Sequence, residues 1–139
     1  MAEAAGVSLR AVATGAVISS DRELLLSLLR KLVANAVKFT ERGGVLLGCR
    51  RSGDRLRIQV WDTGRGMGEE AIAGLGTEFH QLHRVSGRGG PGRGESGFGF
   101  GLVVVQRLAA ILGHPVGVRS VVGRGSMFEV VVPLIRVQT

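Results

Sequence analysis

The sequence predicts an α/β domain in which strands and helices share one sandwich, and three observations carry that reading. A helical stripe runs through Leu25, Leu29, Leu32 and Ala36. Two apolar runs, "VLLGC" and "RLRIQVW", bracket a polar turn. A second helical pattern comes late in the chain and is followed by two more apolar strands. The 139 residues suit a single domain spanning 1–139, large enough to bury a real core.

Taken in order, residues 7–19 alternate weakly, with Val7, Leu9, Ala11 and Ala13 on one side and Val17 and Ile18 after Gly15, which predicts two short strands. Ser20-Asp21-Arg22-Glu23 reads as a capping box, in which the Ser20 hydroxyl and the Glu23 carboxylate satisfy the free N–H groups of a helix start. In the helix that follows, Lys31, Asn35 and Lys38 share a face separate from the apolar stripe, and Gly43-Gly44 stands where a left-handed cap is expected. The hairpin turns at Ser52-Gly53-Asp54; its second strand buries Leu56, Ile58 and Val60 and turns Arg55, Arg57 and Gln59 outward. Residues 69–82 predict a turn or two of helix. Residues 83–97, "HRVSGRGGPGRGESG", hold six glycines, three arginines and almost nothing apolar. A structureless stretch that long inside a compact domain reads as a functional lid. "GFGFGL" then opens a helix carrying Leu102, Val105, Leu108, Ala109 and Leu112, stopped by Gly113-His114-Pro115. "VGVRSV" and "SMFEVVVPL", joined by Gly123-Arg124-Gly125, complete the strands.

Composition narrows the function classes. Eighteen basic residues against 11 acids give a net charge of +7, which favours anionic partners. Specific nucleic-acid binding would rest on that charge alone, because five phenylalanines and one tryptophan offer little stacking and the arginines are scattered. The single cysteine, Cys49, excludes an internal disulfide and cannot supply a zinc site, which points to a reducing, cytoplasmic compartment. No signal-like start occurs, and no apolar run reaches the ~18 residues of a membrane span, so no membrane contact is expected of this domain.

The 23 glycines are about twice the ordinary share of roughly 7%. Beside a helix start they let backbone N–H groups approach an anion, so "GFGFGL" is a phosphate-site candidate, although the same spacing also serves close helix–sheet packing. The Gly-Lys-Ser/Thr ending of a P-loop is absent, and a dinucleotide fold would place its glycines after the first strand. "VWDTGRGMG", residues 60–68, ends a strand in Asp62 and turns through three glycines. A carboxylate so placed accepts a hydrogen bond from an exocyclic amine such as adenine's, or else caps its own turn.

In order and spacing, four motifs resemble those of the ATP-binding catalytic domain of bacterial sensor histidine kinases, over about residues 6–134. That domain is a member of the Bergerat-fold (GHKL) group, with gyrase-type, chaperone and mismatch-repair ATPases. The resemblance implies a mixed, mostly antiparallel sheet covered on one face by about three helices, with ATP and Mg2+ as cofactors. "LVANAVKFT", residues 32–40, is similar to the N box, which implies that Asn35 holds the magnesium ion and Lys38 contacts phosphate. "DTGRGMG", residues 62–68, is similar to the G1 box: Asp62 would accept from the adenine amino group, Gly64 and Gly66 would let the base in, and Met67 belongs to the same nucleotide site. "EFHQL", residues 78–82, is similar to the F box, with Phe79 anchoring the lid base. "GFGFGL" is similar to the G2 box, where Gly97, Gly99 and Gly101 would cradle the triphosphate, with Leu102 beside them. Ser126 falls where the family commonly has a threonine near the adenine.

Two departures qualify the resemblance. Four residues before Asn35, where the kinases usually carry another asparagine or sometimes a histidine, and the related hydrolases a glutamate, stands Lys31. A charged lysine neither ligates a cation nor serves readily as a base near neutral pH. No catalytic residue is therefore assigned within the chain, and Lys31 is expected to weaken metal use or slow turnover, or to pair with phosphate. None of His80, His83 and His114 fits the phosphoacceptor pattern. The acceptor histidine is expected on a separate dimerisation domain, in cis in a longer cytoplasmic or membrane-bound sensor or in trans, with a response regulator downstream. A lid arginine, Arg84, Arg88 or Arg93, would then help stabilise developing charge, or else these are solvated loop charges. The alternative is a degenerate nucleotide-binding or protein-interaction module without kinase activity.

Overall fold

A computed structural model describes residues 7–11, 14–74, 79–81 and 99–135. The elements run β1 (Val7–Ala11), α1 (Arg22–Lys38), β2 (Gly43–Ser52), β3 (Arg55–Asp62), α2 (Glu69–Ala73), β4 (Phe79–Gln81), α3 (Gly99–Leu112), β5 (Val116–Val121) and β6 (Gly125–Pro133). They build one six-stranded sheet in the order β1-β2-β3-β6-β5-β4. The outer pairs β1–β2 and β4–β5 are parallel, and the three inner pairings are antiparallel. The expected mixed, mostly antiparallel sheet and three helices are therefore present.

Helix α1 starts one residue later than the capping box implies. Asp21 is the cap, its Oδ1 accepting from the Leu24 N–H at 2.9 Å, while the Ser20 hydroxyl lies 2.8 Å from His114 Nε2 instead. A carboxylate suits the positive end of the helix dipole better than a hydroxyl does. Gly43-Gly44 is not the C-terminal cap either. The helix closes at Phe39, whose N–H donates to the Asn35 carbonyl, and Thr40 Oγ1 donates to the Ala36 carbonyl at 2.7 Å; the two glycines begin β2. With its last carbonyls satisfied this way, the helix needs no left-handed residue.

The buried stripe of α1 is Leu25, Leu28, Leu32, Asn35 and Ala36, with Leu29 only half-buried; Asn35 thus belongs to the buried stripe and not to a separate face with the exposed Lys31 and Lys38. It packs on β2 and β3 and along α3, whose Leu102, Val105 and Ala109 are buried while Val103 and Val104 are exposed. Leu28, Val105, Val118, Val130 and Val132 are completely enclosed, and each such side chain contributes about 1.5–3 kcal/mol over an exposed one.

Three further expectations change. Val17 and Ile18 form no strand, only an isolated bridge between Ile18 and Leu134. The helix within 69–82 is the short α2, and Phe79–Gln81 is extended because it pairs in parallel with β5. On β3, Gln59 is buried rather than outward: its Nε2 donates to Glu129 Oε1 at 3.1 Å, and its Oε1 accepts from Trp61 Nε1 at 3.1 Å. Glu129 is itself buried and also takes the Arg57 guanidinium, so this side of the central strands holds a satisfied ionic network. The predicted lid, 83–97, lies outside the described residues.

Candidate functional site

Strand β3 buries Leu56, Ile58 and Val60 on its helix-facing side, and period-two alternation carries Asp62 onto that side at the strand's end. The register sets Asp62 opposite Ser126 on β6, and Ser126 opposite Ser120 on β5. One row in, Val60 faces Phe128 and Phe128 faces Val118, all buried. Three polar side chains thus cap the end of the apolar core.

Their hydrogen bonds tie the row together. Asp62 Oδ1 accepts from the Gly64 N–H at 2.9 Å and from the Ser126 N–H at 3.2 Å. Among the described residues Oδ2 has no hydrogen-bond partner. The Ser120 hydroxyl accepts from the Met67 N–H at 2.7 Å, reaches the Gly125 carbonyl at 3.1 Å and lies 2.7 Å from Ser126 Oγ. Burial raises the Asp62 pKa above the ordinary carboxylate value, and the two backbone N–H bonds partly oppose that shift.

Gly64 and Gly66 are required by the protein's own backbone. A Cβ on Gly64 would stand 2.4 Å from the Phe39 carbonyl oxygen, and one on Gly66, whose φ is +72°, would stand 2.1 Å from the Val121 carbonyl oxygen. The loop therefore lies flat against the end of α1 and the β5–β6 turn, where the Gly123 N–H also donates to the Arg65 carbonyl at 2.8 Å. Any access these glycines give a base comes in addition to that packing.

Asn35 is 8% exposed on α1, yet its side chain has no hydrogen-bond partner among the described residues. Lys38, the last helical residue, is exposed and lines a cleft of about 500 Å³ together with Phe39, Glu41, Arg42, Thr63, Gly64 and Arg65, three cations against one acid. Lys38 and Arg65 both stand over the Phe39 ring, at 5.5 and 5.0 Å from its centroid, so two cations gather where α1 meets the glycine turn. Lys31 is exposed one turn before Asn35 and two turns before Lys38.

The structure thus joins Asp62, Gly64, Met67 and Ser126 through one network and places Lys38 beside Gly64. Met67 and Leu102 are buried. Gly99 and Gly101 lie in the first turn of α3, and Phe79 in β4; Gly97 lies outside the described residues. Sequence reasoning missed Ser120. Its signal was there: in "VGVRSV" it falls in phase with Val116 and Val118, a hydroxyl on a buried apolar face.

Among the described residues no three His, Cys, Asp or Glu side chains gather as a metal site, and no helix is long and apolar enough to cross a membrane.

Six strands backed by three helices, with a carboxylate at a strand end beside a glycine turn, define a nucleotide-binding sandwich, and comparison with known proteins agrees. The profile of the histidine kinase-, DNA gyrase B- and HSP90-like ATPases matches residues 20–136, and the chain belongs to that family. Within it, the sequence relatives are sensor histidine kinases, and the chain is an ATP-binding catalytic domain of that kind. It is 36% identical over 131 residues to the sensor histidine kinase AtsR of Burkholderia thailandensis, covering 91% of this chain and 21% of that protein. It is 41% identical over 118 residues to the circadian input-output histidine kinase CikA of Synechococcus elongatus, covering 84% of this chain and 15% of that protein. The chain therefore spans about a fifth or less of the length of these relatives. Among solved structures, full-length ShkA in complex with AMPPNP superposes with a TM-score of 0.76 at 30% identity, over 99% of this chain and 28% of that one.

Proposed function

We propose that the chain binds magnesium-ATP and donates the γ-phosphate to a histidine on a separate dimerisation domain, in two-component signalling with a response regulator downstream. The observation that carries this reading is the state of Asp62. One carboxylate oxygen is held by two backbone amides, while the other, at the end of a buried strand, has no partner among the described residues. That oxygen has the chemistry to accept from the adenine amine. The AMPPNP bound by ShkA supports the same ligand class.

The remaining residues fit the rest of the nucleotide. Asn35, 8% exposed near the end of α1, would hold the magnesium ion, and the cations at Lys38 and Arg65 would face the phosphates. Magnesium keeps several waters and leans on substrate phosphates, so the Asn35 amide oxygen would be one neutral ligand beside them; among the described residues no cluster of three His, Cys, Asp or Glu adds to it. When bound, the ion neutralises charge on the phosphates as the γ-phosphoryl group leaves. Gly97, Gly99 and Gly101 would supply backbone N–H groups at the start of α3, and Phe79 would anchor the lid.

The test mixes the chain with labelled ATP and a dimerisation domain of a related kinase that carries its acceptor histidine. Acid-labile label on that histidine is the expected result; ATP binding with no transfer would refute the kinase reading. The exposed Lys31 favours a second reading, a nucleotide-binding module that transfers no phosphate, and the same assay decides between them.

A further inference from the structure

We propose that Ser120 is a specificity-determining positioning residue: it fixes where the Ser126 hydroxyl sends its proton, so that the base pocket presents only acceptors at that point. The inference rests on the adenine reading above and extends it to a residue two strands away from Asp62.

The argument is a proton count. A serine hydroxyl has one hydrogen to donate and lone pairs to accept. The Ser120 hydroxyl, 1% exposed, has three neighbours: the Met67 N–H at 2.7 Å, which can only donate; the Gly125 carbonyl at 3.1 Å, which can only accept; and Ser126 Oγ at 2.7 Å. If Ser120 gives its proton to Gly125, Ser126 donates to Ser120 and all three contacts are hydrogen bonds. If Ser120 gives its proton to Ser126, the Gly125 contact is lost and the Ser126 proton must find another acceptor. The first arrangement makes one more bond in a site shielded from water, where an unmade bond is costly.

In that arrangement Ser126 Oγ has lone pairs and no free proton. It stands directly across the β3–β6 pairing from Asp62, whose Oδ2 is likewise an acceptor, and its own backbone N–H is committed to Asp62 Oδ1 at 3.2 Å. An exocyclic amine satisfies such a rim. A carbonyl oxygen in the same place meets acceptors only, and a site built for a donor rejects an analogue that lacks it. Asp62 supplies the charge, and Ser120 keeps its neighbour from turning round to rescue the wrong base.

The experiment measures affinities of the chain for ATP and for inosine triphosphate, which puts a carbonyl in place of the amine and a proton on N1, without adding guanine's 2-amino group. Ser120→Ala frees the Ser126 hydroxyl to donate, so the ATP-to-ITP preference should fall about three- to tenfold, largely through tighter ITP binding. Ser120→Thr retains the hydroxyl and should restore the preference. In a Ser126→Ala background, adding Ser120→Ala should leave the ratio unchanged, whereas a merely structural role would lower both affinities together. Thermal unfolding reads the lost Met67 contact separately, and if Ser120→Ala does not fold, Ser120→Cys replaces it, with similar size and a weak hydrogen-bonding thiol. A folded Ser120 variant lacking the hydroxyl that keeps the unaltered ratio overturns the proposal, as does an equal change in the Ser126→Ala background. Failure of the unaltered chain to bind ATP would instead refute the adenine reading, and this assignment with it.

Discussion

Replacing Asp62 by asparagine separates what this residue does for the fold from what it does for the ligand. Oδ1 accepts from the Gly64 and Ser126 amides, and an asparagine carbonyl can keep both bonds. Oδ2 becomes an NH₂ group and meets the adenine amine donor to donor. The lost charge-assisted bond corresponds to about 1.5–3 kcal/mol, or about tenfold to a hundredfold in ATP affinity. Stability should not fall with it. The raised pKa means that burial disfavours the charged carboxylate in the folded state, so a neutral side chain at neutral pH leaves the unfolding midpoint unchanged or higher. Asp62→Ala should differ in both respects, because it strips two backbone N–H groups of their acceptor and costs about 2–4 kcal/mol of folding free energy besides the affinity. Calorimetric titration with magnesium-ATP, paired with thermal unfolding of each variant, reads the two effects independently. An Asp62→Asn chain that folds and binds ATP as tightly as the unaltered one would show that this carboxylate does not recognise the base.

Gly66→Ala forces a side chain into a φ of +72° and against the Val121 carbonyl, so urea unfolding should register a loss of about 2 kcal/mol or more. Arg57→Ala leaves Glu129 buried without its cation; the expected cost is about 3 kcal/mol, at the low end for a broken buried pair because Arg57 is 37% exposed, and Glu129→Gln in the same background should recover part of it. The pKa of His114 is lowered, first by burial and then by Arg55, against the opposing Gly113 backbone contact. Its contribution to stability is therefore complete above the ordinary imidazole value of about 6.5 and is lost as pH falls below it, and His114→Gln should flatten that part of the stability profile. Lys31→Asn should strengthen the magnesium dependence of ATP binding, read by titration with and without the metal; an unchanged dependence would remove Lys31 from any account of the metal.

The α1 helix, the hairpin and the late helix were legible because period 3.6 and period 2 are written in the apolar residues themselves. What the sequence hid depends on partners distant along the chain. Ser20 looked like a cap because a capping box is a local pattern, yet its hydroxyl meets His114, 94 residues away. Gln59 looked solvated because it alternates with Leu56, Ile58 and Val60, and only the register with β6 reveals Glu129 across from it. Phe79–Gln81 gave no strand signal, since its extended form comes from pairing with β5 and not from its own residues. At the site, the motifs located Asp62, Gly64 and Ser126, while the physical demand on the glycines, contact with the Phe39 and Val121 carbonyls, could not be read without coordinates.

Asp62, Ser126 and Ser120 occupy the same side of the sheet as Val60, Phe128 and Val118, one step further along each strand pair, so the register that closes the core also assembles the polar row. Placing a carboxylate in phase with core residues breaks the rule that the rest of the sheet obeys, and the upward shift of its pKa records the resulting cost. Such a violation persists in a folded chain when something compensates it. Here two backbone amides do so on one oxygen only, and among the described residues the other has no partner. Asp62 and Ser126 are 64 residues apart in sequence, so neither motif shows this alone; the polar row becomes visible once strand pairing is known, as the place where hydrogen bonding replaces apolar packing.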